Sequence, residues 1–136
     1  MNEGKSIMKK WAFIVQATNW NKVRSIVEKE AKKVVRELGK PEDGNILYKV
    51  TATFYQKRER WIQPERPRQD IGADLDNLLK RVFDGLGPII GYRKDYTGRR
   101  KHAGVRDSSI IEVYAKKVNS GSKREFLAIE VETWVP

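Results

Sequence analysis

The densest chemistry in the chain lies in Ala73-Asp74-Leu75-Asp76-Asn77-Leu78-Leu79-Lys80. Two carboxylates two residues apart do not share a face inside a helix. At a helix entrance the geometry changes: Asp74 takes the half-in cap position, Asp76 sits in the first turn, and both lean toward one cavity beyond a sheet. Lys80 follows Asp76 by four residues, so its amine projects along the same helix face. Asn77 adds a polar group beside the acids. The plain alternative is helix capping, because Asp is a favoured cap and acids suit the positive end of a helix. A cation site needs a third acid. Asp107, just ahead of the apolar run at 109–118, is the first choice, against the alternative of an Asx-turn that opens the strand. Asp95 is the fallback, and Asp70 and Asp84 are lesser candidates.

The surroundings of these acids favour chemistry over capping. The 136-residue chain has 28 Lys and Arg against 18 Asp and Glu, a formal net charge of +10. Polyanions are the usual partners of such an excess, since basic side chains displace counterions from phosphates. The acids stand between two basic segments. Lys57, Arg58, Arg60, Arg66 and Arg68 precede them; Arg93, Lys94, Arg99, Arg100, Lys101 and Arg106 follow. A phosphate-attracting surface with uncompensated carboxylates at its centre is a conflict that a bridging cation removes. There is no cysteine and one histidine, His102. Thiolate zinc sites, disulfides and cysteine nucleophiles are therefore excluded, and oxygen donors favour magnesium, with manganese as a substitute. Arg99, Arg100 and Lys101 disfavour protonation of His102, which reads as a loop or phosphate contact. Trp61, Tyr92 and Tyr96 are interleaved aromatics able to stack at a branch point, although Trp61 and Tyr92 suit small satellite cores as well.

Four strands and two helices must position these groups. Residues 10–17 (KWAFIVQA) read as a strand, and Thr18-Asn19-Trp20-Asn21 supplies caps. Val23, Ile26, Val27, Ala31, Val34, Val35 and Leu38 recur at helical spacing, with Gly39 and Pro41 as the stop. Residues 46–56 alternate as a strand, and 57–69 form a loop or edge segment with two prolines. The second amphipathic helix covers 75–86 and is ended by Gly87-Pro88, and 89–104 is a long loop. Residues 109–118 and 124–135 read as two strands joined at 119–122 into a hairpin. The order β-α-β-α-β-β predicts a single two-layer α/β domain with a mixed sheet over residues 1–136, residues 1–9 being a tail. No run is apolar enough to span a membrane, and the start does not read as a secretory signal. The simplest location is the cytoplasm.

Asp74-Leu75-Asp76-Asn77-Leu78-Leu79-Lys80, followed by Phe83-Asp84-Gly85-Leu86, resembles the signature of the RusA family of Holliday junction resolvases. Gly104-Val105-Arg106-Asp107-Ser108-Ser109-Ile110-Ile111-Glu112 resembles that family's second motif. The likeness runs from about residue 46 to residue 135. Arg106 stands where the family usually has a second acid, and the loop before Gly104 is long for it. The resemblance implies a small homodimeric endonuclease of the bacterial cytoplasm or nucleoid, often phage-encoded, that cuts four-way DNA junctions with magnesium in recombination and repair. On that reading Asp74, Asp76 and Asp107 hold metal, Lys80 assists, and no small-molecule substrate is involved. Paired cuts need two sites, which a two-fold dimer provides; Trp134 and the alternating last strand are the candidate interface material. The competing readings are a non-catalytic nucleic-acid-binding module whose acids only cap a helix, and a nuclease for other branched nucleic acids.

Overall fold

The computed structural model describes residues 9–39, 46–62, 74–93, 104–121 and 123–134. β1 (Lys10–Gln16) leads through a 3-10 turn at Trp20–Lys22 into α1 (Val23–Leu38), then β2 (Leu47–Gln56) and the single turn α2 (Glu59–Ile62). α3 (Leu75–Gly85) and the single turn α4 (Gly87–Ile90) follow, then a 3-10 turn at Asp107–Ser109, β3 (Ile110–Asn119) and β4 (Phe126–Trp134). The strands form one mixed sheet in the order β1-β4-β2-β3. β4 runs antiparallel to β1 and β2, whereas β3 runs parallel to β2. The expected two-layer α/β architecture with a mixed sheet is present.

Alternation decides which sheet face is covered. Trp11, Phe13 and Val15 of β1, Val50, Ala52 and Phe54 of β2, and Leu127, Ile129 and Val131 of β4 are buried together with Val27 and Ala31 of α1 and Leu78 and Val82 of α3. Residues one step out of phase, such as Ile14 and Tyr114, are exposed on the other face. Asn19 caps the first 3-10 turn, its side chain accepting from the Asn21 N–H at 3.0 Å.

Two expectations about connectivity need correction. The last two strands are not a hairpin: β4 is inserted between β1 and β2, and β3 occupies the sheet edge. Burial explains the exchange. Leu127, Ile129 and Val131 are almost fully enclosed, which suits a strand with neighbours on both sides. Of β3, Ile111, Val113, Tyr114 and Lys116 remain exposed, and a lysine-bearing strand is suited to an edge. The chain between them passes the end of β2, where the Ser120 N–H donates to the Gln56 carbonyl at 2.8 Å. The last strand therefore has no free edge to offer a partner, and Trp134 is half-buried opposite Leu47.

The second correction concerns Gly87-Pro88. They do not begin the loop but start α4, with proline in its first turn, where the missing N–H costs nothing. Ile89 and Ile90 are thereby core residues, each 2% exposed. The expected loop from 89 therefore cannot start before Gly91, and residues 94–103 of that stretch lie outside the described residues. Similarly, the basic segment after β2 opens with α2 rather than with irregular chain. Among the described residues no helix is long and apolar enough to cross a membrane.

Candidate active site

The apolar stripe of α3 fixes what its polar side can reach. Leu78 and Val82 are buried, and Leu75, Leu79 and Phe83 pack partly against the core. Asp76 and Lys80, four residues apart, are consequently turned outward together, and both are exposed. Asp74 stands at the cap position with an extended backbone, φ −89° and ψ 121°. Its carbonyl accepts the Leu78 N–H at 3.0 Å, which starts the helix. Its side chain accepts no capping hydrogen bond. The Asn77 amide instead donates to Asp74 Oδ2 at 3.3 Å. Two exposed carboxylates thus stand at a helix end that carries partial positive charge, with an amide beside one and an ammonium one turn on from the other.

Asp107 opens the 3-10 turn that precedes β3 and is exposed. Its own N–H donates to the Val105 carbonyl at 2.9 Å, and Ser109 closes the turn onto the Arg106 carbonyl through its N–H at 3.0 Å and its hydroxyl at 2.7 Å. No side chain caps this turn. A register shift between Tyr48 and Lys49 marks a β-bulge at the start of β3, a device that re-aims side chains at a strand end. α3 and β3 touch. Among the described residues, however, no three of the Asp, Glu and His side chains gather into a group able to hold a metal ion. Asp74 and Asp76 form a pair, and Asp107 stands on a separate turn. Asp84 lies eight residues beyond Asp76, about 12 Å along the helix axis, too far to share an ion with that pair. Asp70, Asp95 and His102 lie outside the described residues, as do Arg66, Arg68, Lys94, Tyr96, Arg99, Arg100 and Lys101.

The residues that flank 94–103 pair with one another ahead of Asp107 and form a closed base. Tyr92 pairs with Val105 in an isolated antiparallel bridge. The Arg93 N–H donates to the Gly104 carbonyl, and the Arg106 N–H donates to that of Gly91 at 2.9 Å. Arg93 and Arg106, thirteen residues apart, are therefore neighbours just ahead of Asp107. Tyr92 anchors this base. Its ring lies where a Cβ on Gly87 would be, and its hydroxyl interacts with Glu28. Burial, and then Glu28, raise its pKa. Burial also pushes the Tyr48 phenol up to about 12, with the charge of Arg106 pulling the other way. Tyr92 is 40% exposed, yet the ring has a structural seat of its own. Trp61 is likewise engaged, its indole N–H donating to Gln56 at 2.8 Å while the Lys117 ammonium lies 5.5 Å from the ring centroid.

Of the first basic segment, Lys57 and Arg58 are exposed. Arg60 is held internally by Glu125, a residue that gives no sign of importance in the sequence. Glu125 accepts four hydrogen bonds: from the Lys57 N–H at 2.6 Å, Arg60 Nε at 2.8 Å, a second Arg60 nitrogen at 2.9 Å and the Trp20 indole at 3.0 Å. Its side chain is 8% exposed. Burial alone would raise its pKa, but the bonds from Arg60, Lys57 and Trp20 outweigh it and hold the carboxyl below its usual range. An acid between Arg124 and Phe126 reads as ordinary surface; only the tertiary convergence of three donor residues shows its role.

No protein-family model matches the chain, and no curated protein matches it.

Proposed function

We propose that this chain is a magnesium-dependent endonuclease that cuts DNA at four-way junctions and works as a homodimer. Asp74 carries most of the weight. It occupies the position at which a capping aspartate would bond to its own helix, yet its carboxylate makes no such bond. Simple capping accounts for this residue poorly, whereas a ligand role requires that its oxygens be accessible. Asp76 is exposed beside it, and the donors are carboxylate oxygens throughout, the set a hard divalent cation prefers. Asp74 and Asp76 would hold the ion; the resemblance points to Asp107 as the third ligand, and since it stands on a separate turn from that pair among the described residues, it would have to approach them to close the site. When bound, magnesium supplies charge neutralisation and acidifies water for phosphodiester hydrolysis. Lys80 presents its ammonium to the phosphate and stabilises the charge that develops on its oxygens in the transition state. Arg93 and Arg106 grip the flanking backbone, which fixes position without reading sequence. The resemblance to RusA-type resolvases supports the choice of a four-way junction over other branched DNA.

The test is incubation of a labelled four-way junction and a linear duplex with the protein, with and without magnesium. Paired cuts in the junction, in magnesium only, are expected. Asp76→Asn should abolish them while junction binding persists. Junctions that stay intact in magnesium, or full cutting by Asp76→Asn, would remove the metal role.

A further inference from the structure

At the opposite end of β3 from Asp107 lies a second basic feature. β3 pairs with β2 from Tyr48↔Ile110 to Gln56↔Asn119, so its ten residues separate the two ends by roughly 30 Å. There, an open cleft of about 330 Å³ is lined by Gln16, Ala17, Thr18, Lys57, Arg124 and Glu125. Lys57 and Arg124 come from segments 67 positions apart and both side chains are exposed. They are brought together because the Lys57 N–H and Arg60 are tied to Glu125, the residue after Arg124. Glu125 would oppose an anion, but its charge is matched by the guanidinium of Arg60 at 2.8 Å. Lys57 and Arg124 are left as the formal charges of the lining, with Thr18 and Gln16 as neutral donors.

Resting on the DNA-cutting reading above, we infer that this cleft grips a phosphodiester of one junction arm, at a distance from the point of cutting. A separation of roughly 30 Å corresponds to about nine base pairs of duplex, so only arms longer than that reach it. Arg60 and Glu125 act here as positioning residues: they hold Lys57 and Arg124 beside one another and cancel each other's charge.

The experiment measures binding to junctions with arms of about 6 and about 16 base pairs, the short ones closed by hairpin loops, over a range of salt without magnesium. Each phosphate contact contributes about 0.9 to the log–log salt slope. With one phosphate gripped by the cleft of each protomer of the proposed dimer, the unaltered chain should show a slope about 1.8 steeper on long arms, and binding about tenfold or more tighter at 0.1 M salt. In Lys57→Ala/Arg124→Ala that advantage should vanish. Lys57→Gln/Arg124→Gln should behave alike, and unchanged thermal midpoints exclude misfolding as the cause. Lys29→Ala/Lys32→Ala, on the exposed side of α1, removes the same charge and should keep the advantage. Retention of the long-arm advantage by the cleft variants, or its equal loss in the α1 variant, overturns the inference. If the unaltered chain still cuts junctions in magnesium, that failure leaves the nuclease reading standing. A chain that binds no junction at all overturns both.

Discussion

Glu125 shows how a single side chain can set the geometry of a basic surface. Its carboxylate accepts from Lys57, Arg60 and Trp20, joining the end of β2, the turn α2 and the 3-10 turn ahead of α1 at the start of β4. Removing it takes away the bonds that the Arg60 guanidinium and the buried Trp20 indole N–H donate to it. Breaking a buried ion pair costs about 3–5 kcal/mol. Because Arg60 keeps partial access to water, Glu125→Ala should cost about 3 kcal/mol, read by chemical denaturation. The same residue imposes a pH dependence. Its folded pKa is lowered, so the unfolded chain takes up a proton first as pH falls. The stabilisation is complete above the ordinary glutamate value of about 4.3 and is lost as pH drops through the lowered folded value. Thermal midpoints followed from pH 6 to pH 3 should therefore fall less steeply in Glu125→Gln than in the unaltered chain. Equal slopes would mean that Glu125 does not titrate differently on folding.

At the scale of elements, the crossing of α1 and α3 depends on Gly85. A Cβ there would meet the Arg24 carbonyl oxygen at 2.7 Å and Val27 Cβ at 2.8 Å. Both obstacles are fixed in the helix, so relief requires the helices to part. Gly85→Ala should cost about 2 kcal/mol, within the range for overpacking a close contact. A stability equal to that of the unaltered chain would show the crossing to be adaptable. The glycine was visible in the sequence as part of Phe83-Asp84-Gly85-Leu86, but its partner was not, since the contact spans some sixty positions. Legibility followed the same rule elsewhere. α1, α3 and β2 could be read because each repeats an apolar spacing long enough to name its period, and β1 because its short apolar run is rich in β formers. The outward placing of Asp76 and Lys80 follows directly from the stripe of Leu78 and Val82. Strand neighbours could not be read, because pairing depends on which strand is enclosed on both sides, and a short gap between β3 and β4 resembles a hairpin turn. α4 was hidden because Gly-Pro reads as a stop when proline can equally begin a helix. The pairing of Lys57 with Arg124 depends on Glu125, and a glutamate's burial leaves no local mark.

On the scale of the whole molecule, symmetry limits how the proposed nuclease could make paired cuts. One chain offers one Asp74–Asp76 pair, and a four-way junction needs two cuts related by a two-fold axis. A dimer with the same symmetry supplies them. β4 cannot add strands across such an axis, being paired on both sides. Among the described residues, the uncovered sheet face, where Ile14 is 65% and Tyr114 56% exposed, and the edges β1 and β3 are surfaces that such a dimer could use. Sedimentation at micromolar concentration should give a mass of about twice 15.8 kDa. Function gives a sharper test. If the unaltered chain and Asp76→Asn are unfolded, mixed in equal amounts and refolded, random pairing leaves about half the dimers hybrid and about a quarter fully active. Hybrids carry one working site and should nick one strand only. Nicked junctions should therefore appear in the mixture and not with the unaltered chain, while paired cuts fall to about a quarter of their original yield. If paired cuts fall only by half and no nicked species accumulates, each chain cuts alone, and the pairing of active sites has to be sought outside a stable dimer.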